Sequence, residues 1–125
     1  MNPDSVKEAI SGYDPVAYHT EGKALEGKAE HTLLWDKKRW YFVSAANRAR
    51  FDKDPQRYAP QYGGHCACAV AMGHRLPGDP RIFRIEDGKL YFFHTKDMRS
   101  LWDNHQPEFR RKARKNHVSL FSVDF

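Results

Sequence analysis

Short apolar runs separated by polar punctuation recur along the chain, and their spacing predicts the elements. Residues 31–35 and 40–43 are aromatic and aliphatic runs on either side of the polar Asp36-Lys37-Lys38-Arg39, which predicts a β-hairpin. Residues 82–86 and 89–94 flank Asp87-Gly88, the dipeptide best suited to a two-residue hairpin turn, and predict a second. Asp14 before Pro15 supplies an N-cap and a first-turn proline for a short helix from Pro15 to about Thr20. Ser44 is placed to cap a helix through Asp52 anchored by Phe51, and Pro55 and Pro60 bound a short helical turn carrying Tyr58. Residues 63–73 are small and apolar on nearly every side, which predicts a buried helix between glycine breaks. Met98, Leu101 and Trp102 recur at helical spacing, Pro107 restarts the helix, and Phe109 and Ala113 carry its apolar side to about His117. The expected fold class is α+β: two β-hairpins with interleaved short helices and a C-terminal helical segment. No internal repeat, linker or low-complexity tract is visible.

Size and composition narrow the class. At 125 residues the chain suits a single domain, and its 40% hydrophobic and 14% aromatic content can fill a core without disulfide staples. No apolar run approaches the ~20 residues that a helical membrane crossing needs. The net charge of +5 is mild and concentrates in Arg110, Arg111, Lys112, Arg114 and Lys115. Those side chains form the outer face of a late helix, where they could meet phosphate or simply be solvated; nucleic acid is the weaker reading. Met1 is followed by polar residues instead of a basic start and an apolar stretch, so the chain reads as cytoplasmic or as a trimmed periplasmic form.

Candidate chemistry gathers in one place. The chain has no phosphate-cradling glycine motif, no Gly-x-Ser-x-Gly, no His-Glu-x-x-His and no Cys-x-x-Cys, and its carboxylates are scattered, which favours a non-enzymatic role. By contrast, His65, Cys66, Cys68, Met72 and His74 fall close together, with His19 and His94 as further imidazoles elsewhere. Thiolate, thioether and imidazole donors suit copper(I) or zinc. If residues 65–72 are helical, His65, Cys68 and Met72 share one stripe; if the stretch near His65 is extended, Cys66 and Cys68 point the same way and could chelate together. The competing explanation is core packing, since free cysteine is among the most buried residue types. Tyr13, Tyr18, Tyr41 and Tyr62 could line a pocket for a small ligand, or serve as an aromatic core.

Several separated motifs, in order, resemble one family. Gly12-Tyr13-Asp14-Pro15-Val16-Ala17-Tyr18, Trp40-Tyr41-Phe42-Val43-Ser44 with Asn47, Arg48 and Phe51, Asp54-Pro55, and Tyr58-Ala59-Pro60-Gln61-Tyr62-Gly63-Gly64 with Cys66-Ala67 are similar to the YHS domain family. Gly78-Asp79-Pro80, Asp87-Gly88-Lys89-Leu90-Tyr91 and Leu101-Trp102 resemble its stand-alone bacterial members, so the likeness covers about residues 8–117. It implies a small α+β fold related to treble-clef-like modules, and metal handling in a loose sense. The metal-binding branch carries cysteines where this chain has Ala17, Val43 and Asn47. Cys66 matches a cysteine usual in the stand-alone branch, whereas His65 and Cys68 add donors where relatives carry aromatic rings.

The leading expectation is a non-enzymatic YHS-type protein binding a transition metal, copper before zinc, through Cys66 and Cys68 with His65 and Met72. His19, His74 and His94 are further candidate ligands. The protein would act as carrier, buffer or sensor, with a metal-handling protein as a candidate partner. The alternatives are a metal-free module that binds a small ligand or partner protein in an aromatic-lined pocket, and a thiol redox centre.

Overall fold

The computed structural model describes residues 6–121 of the chain. The architecture is α+β: helices α1 (Ala17–Thr20), α2 (Ala45–Lys53), α3 (Pro55–Tyr58), α4 (Ala67–Ala71), α5 (Lys96–Asn104) and α6 (Glu108–Phe121) are interleaved in the chain with two separate antiparallel hairpins. The first hairpin pairs β1 (Lys28–Trp35) with β2 (Lys38–Phe42), and the second pairs β3 (Asp79–Glu86) with β4 (Lys89–Phe93). The chain forms two compact units, one made of residues up to Ala59 with Asp87–Leu90, the other of Pro60–Glu86 with Tyr91 onward.

The first unit is organised by its hairpin and by one buried carboxylate. Asp36 and Lys37 both take positive φ, at 52° and 63°, so the turn twists the way its strands do. Leu33 faces Trp40 and Trp35 faces Lys38 across the strands, and the register slips between Lys28 and Thr32. Ala9, Val16, Trp40, Phe42 and Phe51 make the core, with the Trp40 and Phe51 rings 4.9 Å apart. As the sequence predicts, the Ser44 hydroxyl accepts the Asn47 N–H at 3.1 Å and starts α2.

Asp14 is fully buried, and its carboxylate accepts four hydrogen bonds. One oxygen takes the backbone N–H groups of Val16 and Ala17 at 2.7 and 3.2 Å, capping the turn into α1. The other takes the Val43 N–H at 2.8 Å and the Asn47 Nδ2–H at 2.9 Å. A buried charge is costly unless its lone pairs are filled, and here they are. The carboxylate thereby ties α1, the residue after β2, and α2 together.

The second unit is built around α4. All five of its residues, Ala67, Cys68, Ala69, Val70 and Ala71, are buried, because side chains this small let neighbouring helices approach the backbone closely. Around it pack Tyr91, Phe93, Trp102, Phe109 and Ala113. The Trp102 indole N–H is satisfied by Glu86 at 2.9 Å. The Asn116 amide donates to the carbonyls of Val70 and Ala71 at 3.0 and 3.1 Å, closing the C-terminal end of α4 with a side chain from α6. The exposed side chains of α6 include Arg111, Lys112, Arg114 and Lys115, with Lys112 paired to Glu108 at 3.0 Å. This helix runs past His117 to Phe121, longer than the sequence pattern indicates.

No internal repeat is read from the sequence, but the backbone carries one. Each element of the second hairpin lies 51 positions after its counterpart: β1 starts at Lys28 and β3 at Asp79, β2 at Lys38 and β4 at Lys89, α2 at Ala45 and α5 at Lys96. The turn residues Asp87 and Gly88 take φ of 52° and 74°, as Asp36 and Lys37 do at 52° and 63°. Ahead of the hairpins, three consecutive positive φ angles at Ile10, Ser11 and Gly12 (44°, 55°, 83°) recur at Tyr62, Gly63 and Gly64 (57°, 63°, 84°). The offset there is 52, so the second copy is one residue shorter before its hairpin.

Gly27 and Gly78 are required by the same close approach in both copies. A Cβ on Gly27 would lie 2.4 Å from the Tyr41 carbonyl carbon and 2.6 Å from the Tyr41 Cβ; on Gly78 it would lie 2.3 Å from the Gly64 oxygen and 2.6 Å from the Phe92 Cβ. Gly27→Ala and Gly78→Ala should each destabilise the protein by about 2–3 kcal/mol or more, read as a lower urea midpoint. Asp14→Ala should cost at least about 3 kcal/mol in the same measurement, because it strands the Asn47 amide and three backbone N–H groups.

Candidate functional site

The sulfur-bearing residues meet at the two ends of α4. Gly64, at φ 84°, turns the chain into an extended stretch through His65 (φ −70°, ψ 158°) and Cys66 (φ −59°, ψ 117°), after which α4 begins. Neither conformation considered from the sequence holds throughout. His65 lies outside the helix, so it does not share a stripe with Cys68 and Met72, and Cys68 is helical, so it does not alternate with Cys66 along a strand. The Cys66 N–H donates to the Leu76 carbonyl at 2.9 Å, and Cys66 bridges in parallel to Phe92, which fixes its side chain against the core.

Both cysteines are unbridged and fully buried. Each thiol points at a thioether. Cys66 Sγ lies 4.0 Å from Met98 Sδ, and Cys68 Sγ lies 4.0 Å from Met72 Sδ. Met98 is held by the start of α5, where the Thr95 hydroxyl accepts its N–H at 3.1 Å. Met72 follows the last residue of α4 and is 52% exposed, so the second pair joins a buried residue to a surface one.

Burial pushes the Cys68 thiol up to about 11, and the neighbouring Cys66 sulfur adds to the shift. An attacking thiol needs the opposite, a thiolate favoured by positive charge or a helix N-terminus. The environment of Cys68 therefore does not favour a nucleophilic thiolate.

The histidines do not converge on the cysteines. His65 Nδ1 is hydrogen-bonded to the Tyr62 carbonyl at 3.0 Å, and His94 Nδ1 to the Pro77 carbonyl at 2.9 Å. His74 is exposed. His19 belongs to the first unit, where its Nε2 meets the Tyr58 carbonyl at 3.3 Å and burial lowers its pKa, against the pull of that hydrogen bond. Among the described residues, no group of three or more His, Cys, Asp or Glu side chains is disposed to hold a metal ion. The sulfur donors include methionine, and Met98 is the one the sequence leaves out: its helical spacing marks it as a core residue, and nothing local points it at a cysteine.

The four tyrosines have different settings. Tyr18 is buried in the first unit, and the Tyr41 hydroxyl donates to Glu8 at 3.1 Å. Tyr13 pairs with Glu26 through an isolated bridge. Tyr62 belongs to the second unit, where burial pushes its phenol up to about 12 and its ring packs on Tyr91 and His117 at 6.0 and 5.2 Å. One cavity of about 360 Å³ is lined by Arg50, Lys53, Asp54, Arg57 and Tyr58, and another of about 170 Å³ by Gly63, Gly64, His65, Pro77 and Gly78. The second opens just ahead of Cys66 in the chain.

No family model, curated protein or solved structure matches the chain.

The Cys68 environment makes a direct prediction. At pH 8 a thiol of pKa about 11 is about 0.1% ionised, against about a quarter for an ordinary cysteine near 8.5. Alkylation of Cys68 in the native protein, followed by peptide mass mapping, should run at least about 100-fold slower than in urea.

Proposed function

We propose that this chain is a non-enzymatic protein of YHS type that holds a soft transition metal ion, copper(I) before zinc, on the sulfurs of its second unit. The observation that carries the reading is the pairing of each buried thiol with a thioether at 4.0 Å, Cys66 with Met98 and Cys68 with Met72. Thioether and thiolate together select copper(I), whereas structural zinc sites draw four ligands from Cys, His and carboxylates. The likeness of the sequence to YHS domains implies metal handling only loosely, since Ala17, Val43 and Asn47 stand where the metal-binding branch carries cysteines. Burial of the thiols and exposure of Met72 suit a carrier or buffer: the ion would be shielded from water on one side and reachable for exchange on the other. Among the candidate imidazoles, only His65 adjoins the cysteines in the chain, and its Nδ1 is hydrogen-bonded to the Tyr62 carbonyl at 3.0 Å.

Titration of the reduced protein with copper(I) against a chromophoric chelator, in parallel with zinc(II), tests this. The wild type is expected to bind copper(I) more tightly than zinc(II), and the Cys66→Ser, Cys68→Ser variant to lose copper(I) binding by about 100-fold or more. Equal binding by wild type and variant would refute it. Because the Cys68 thiol stays protonated from pH 6 to pH 8, the ion must displace that proton, so copper(I) affinity should rise by at least about tenfold per pH unit across this range.

A further inference from the structure

The repeated backbone assigns a counterpart to each residue of the sulfur site. Tyr13 N–H donates to Ile10 O at 3.1 Å, and His65 N–H donates to Tyr62 O at 3.1 Å. Tyr13 bridges antiparallel to Glu26, and His65 to Pro77. Asp14 N–H donates to Leu25 O at 2.8 Å, and Cys66 N–H to Leu76 O at 2.9 Å. Cys66 is therefore the Asp14 of the second unit. On the helix after the hairpin, the Ser44 hydroxyl accepts the Asn47 N–H and the Thr95 hydroxyl accepts the Met98 N–H, each at 3.1 Å. Met98 is therefore its Asn47.

The two pairs are contacts of the same kind of place. In the first unit, Asn47 Nδ2–H meets the Asp14 carboxylate at 2.9 Å, and the same carboxylate holds three backbone N–H groups. In the second unit the corresponding contact is Cys66 Sγ to Met98 Sδ at 4.0 Å. A thiol is a weak donor and a thioether a weak acceptor, so this contact ties its two elements far less firmly than a carboxylate–amide pair does. We infer that the chain is an internal duplication in which one copy closes this place with Asp14 and Asn47, and the other has exchanged that latch for Cys66 and Met98, which hold a soft monovalent cation between the start of α4 and the first turn of α5.

The spacing fits. Two metal–sulfur bonds of about 2.3 Å across a 4.0 Å sulfur separation enclose an angle of about 120°, which leaves room for a third donor. Cys68, two residues along the chain and buried in the same core cluster, is a candidate. The inference rests on the copper(I) reading of this unit and adds to it the identity of the second ligand and a structural consequence: the ion does for the second unit what Asp14 does for the first.

The test uses the full chain, with copper(I) as probe. Met98→Leu keeps the packing and removes the thioether, and copper(I) affinity measured by chelator competition should fall by at least about tenfold. Copper(I) should also raise the thermal midpoint of the wild type and slow amide exchange in α4 and α5. Cys66→Asp alone should lower the midpoint of the metal-free protein, by burying a carboxylate without its amide, and adding Met98→Asn should restore at least half of the loss while leaving the protein unresponsive to copper(I). Wild-type affinity in Met98→Leu, or no restoration in the double variant, would overturn the inference even if the Cys66→Ser, Cys68→Ser variant loses the ion. Absence of copper(I) binding by the wild type would overturn both readings. Should Cys66→Asp variants fail to fold, the Met98→Leu affinity decides.

Discussion

Four donors surround the Asp14 carboxylate, and the organisation of the first unit follows from the need to keep them there. The aspartate sits just before Pro15, and the N–H groups of Val16 and Ala17 would otherwise be orphaned at the start of α1. The remaining oxygen is free to take donors from elsewhere in the unit, and those come from the end of the hairpin and the first turn of α2. One side chain thus solves a local problem, helix capping, and a non-local one, the angle at which the hairpin delivers α2. The aromatic cluster of Trp40, Phe42 and Phe51 supplies the apolar burial. The carboxylate makes that packing specific, because a fully buried charge tolerates only the arrangement that fills its lone pairs.

The second unit meets the same geometric demand with other chemistry. Its helix at this place is made of alanines, cysteine and valine, and its core closes through Trp102, Tyr91 and Phe93 instead of a polar anchor. Polar satisfaction moves to the far end of α4, where Asn116 holds the last carbonyls, and to the rim, where Glu86 takes the Trp102 indole. Apolar burial is non-directional, so it can hold α4 in the core without fixing the distance from Cys66 to α5. That distance is set by two soft atoms in contact, a junction that a coordinated ion would tighten and that hydrogen bonding does not.

Much of this was legible in the residues, and the parts that were not have physical reasons. Both hairpins, the caps at Ser44 and Asp14 and the buried character of residues 67–71 follow from local rules: turn chemistry, side-chain oxygen at a helix start, small apolar residues in sequence. The duplication escapes because backbone conformation and hydrogen bonding repeat while most side chains do not: Asp14 answers to Cys66, Asn47 to Met98 and Phe51 to Trp102, and a one-residue change of offset falls between the opening turn and the hairpin. Identity survives at scattered positions, among them Lys38 and Lys89, Phe42 and Phe93, and Arg48 and Arg99; it holds also at the turn aspartates, Asp36 and Asp87, and at the glycines at 27 and 78, where positive φ and close backbone approach admit few residues. The donor set escapes for a related reason. Helical periodicity groups His65, Cys68 and Met72, but the chain is extended until Cys66, and the residue that reaches Cys66 comes from a helix thirty-two positions away.

Duplication also explains why donors can accumulate in one unit without loss of the fold. One copy retains its carboxylate latch, and the other exchanges buried polar groups for thiol and thioether, which cost little to bury without partners. Sulfur is suited to that freedom: it packs as hydrocarbon does when nothing is bound, and it binds a soft cation when one is present. Buried oxygen or nitrogen ligands in the same positions would need permanent hydrogen-bond partners, and those partners would compete with any ion. The 4.0 Å thiol–thioether contacts on α4 satisfy both conditions, a core that is intact without metal and donors already facing one another.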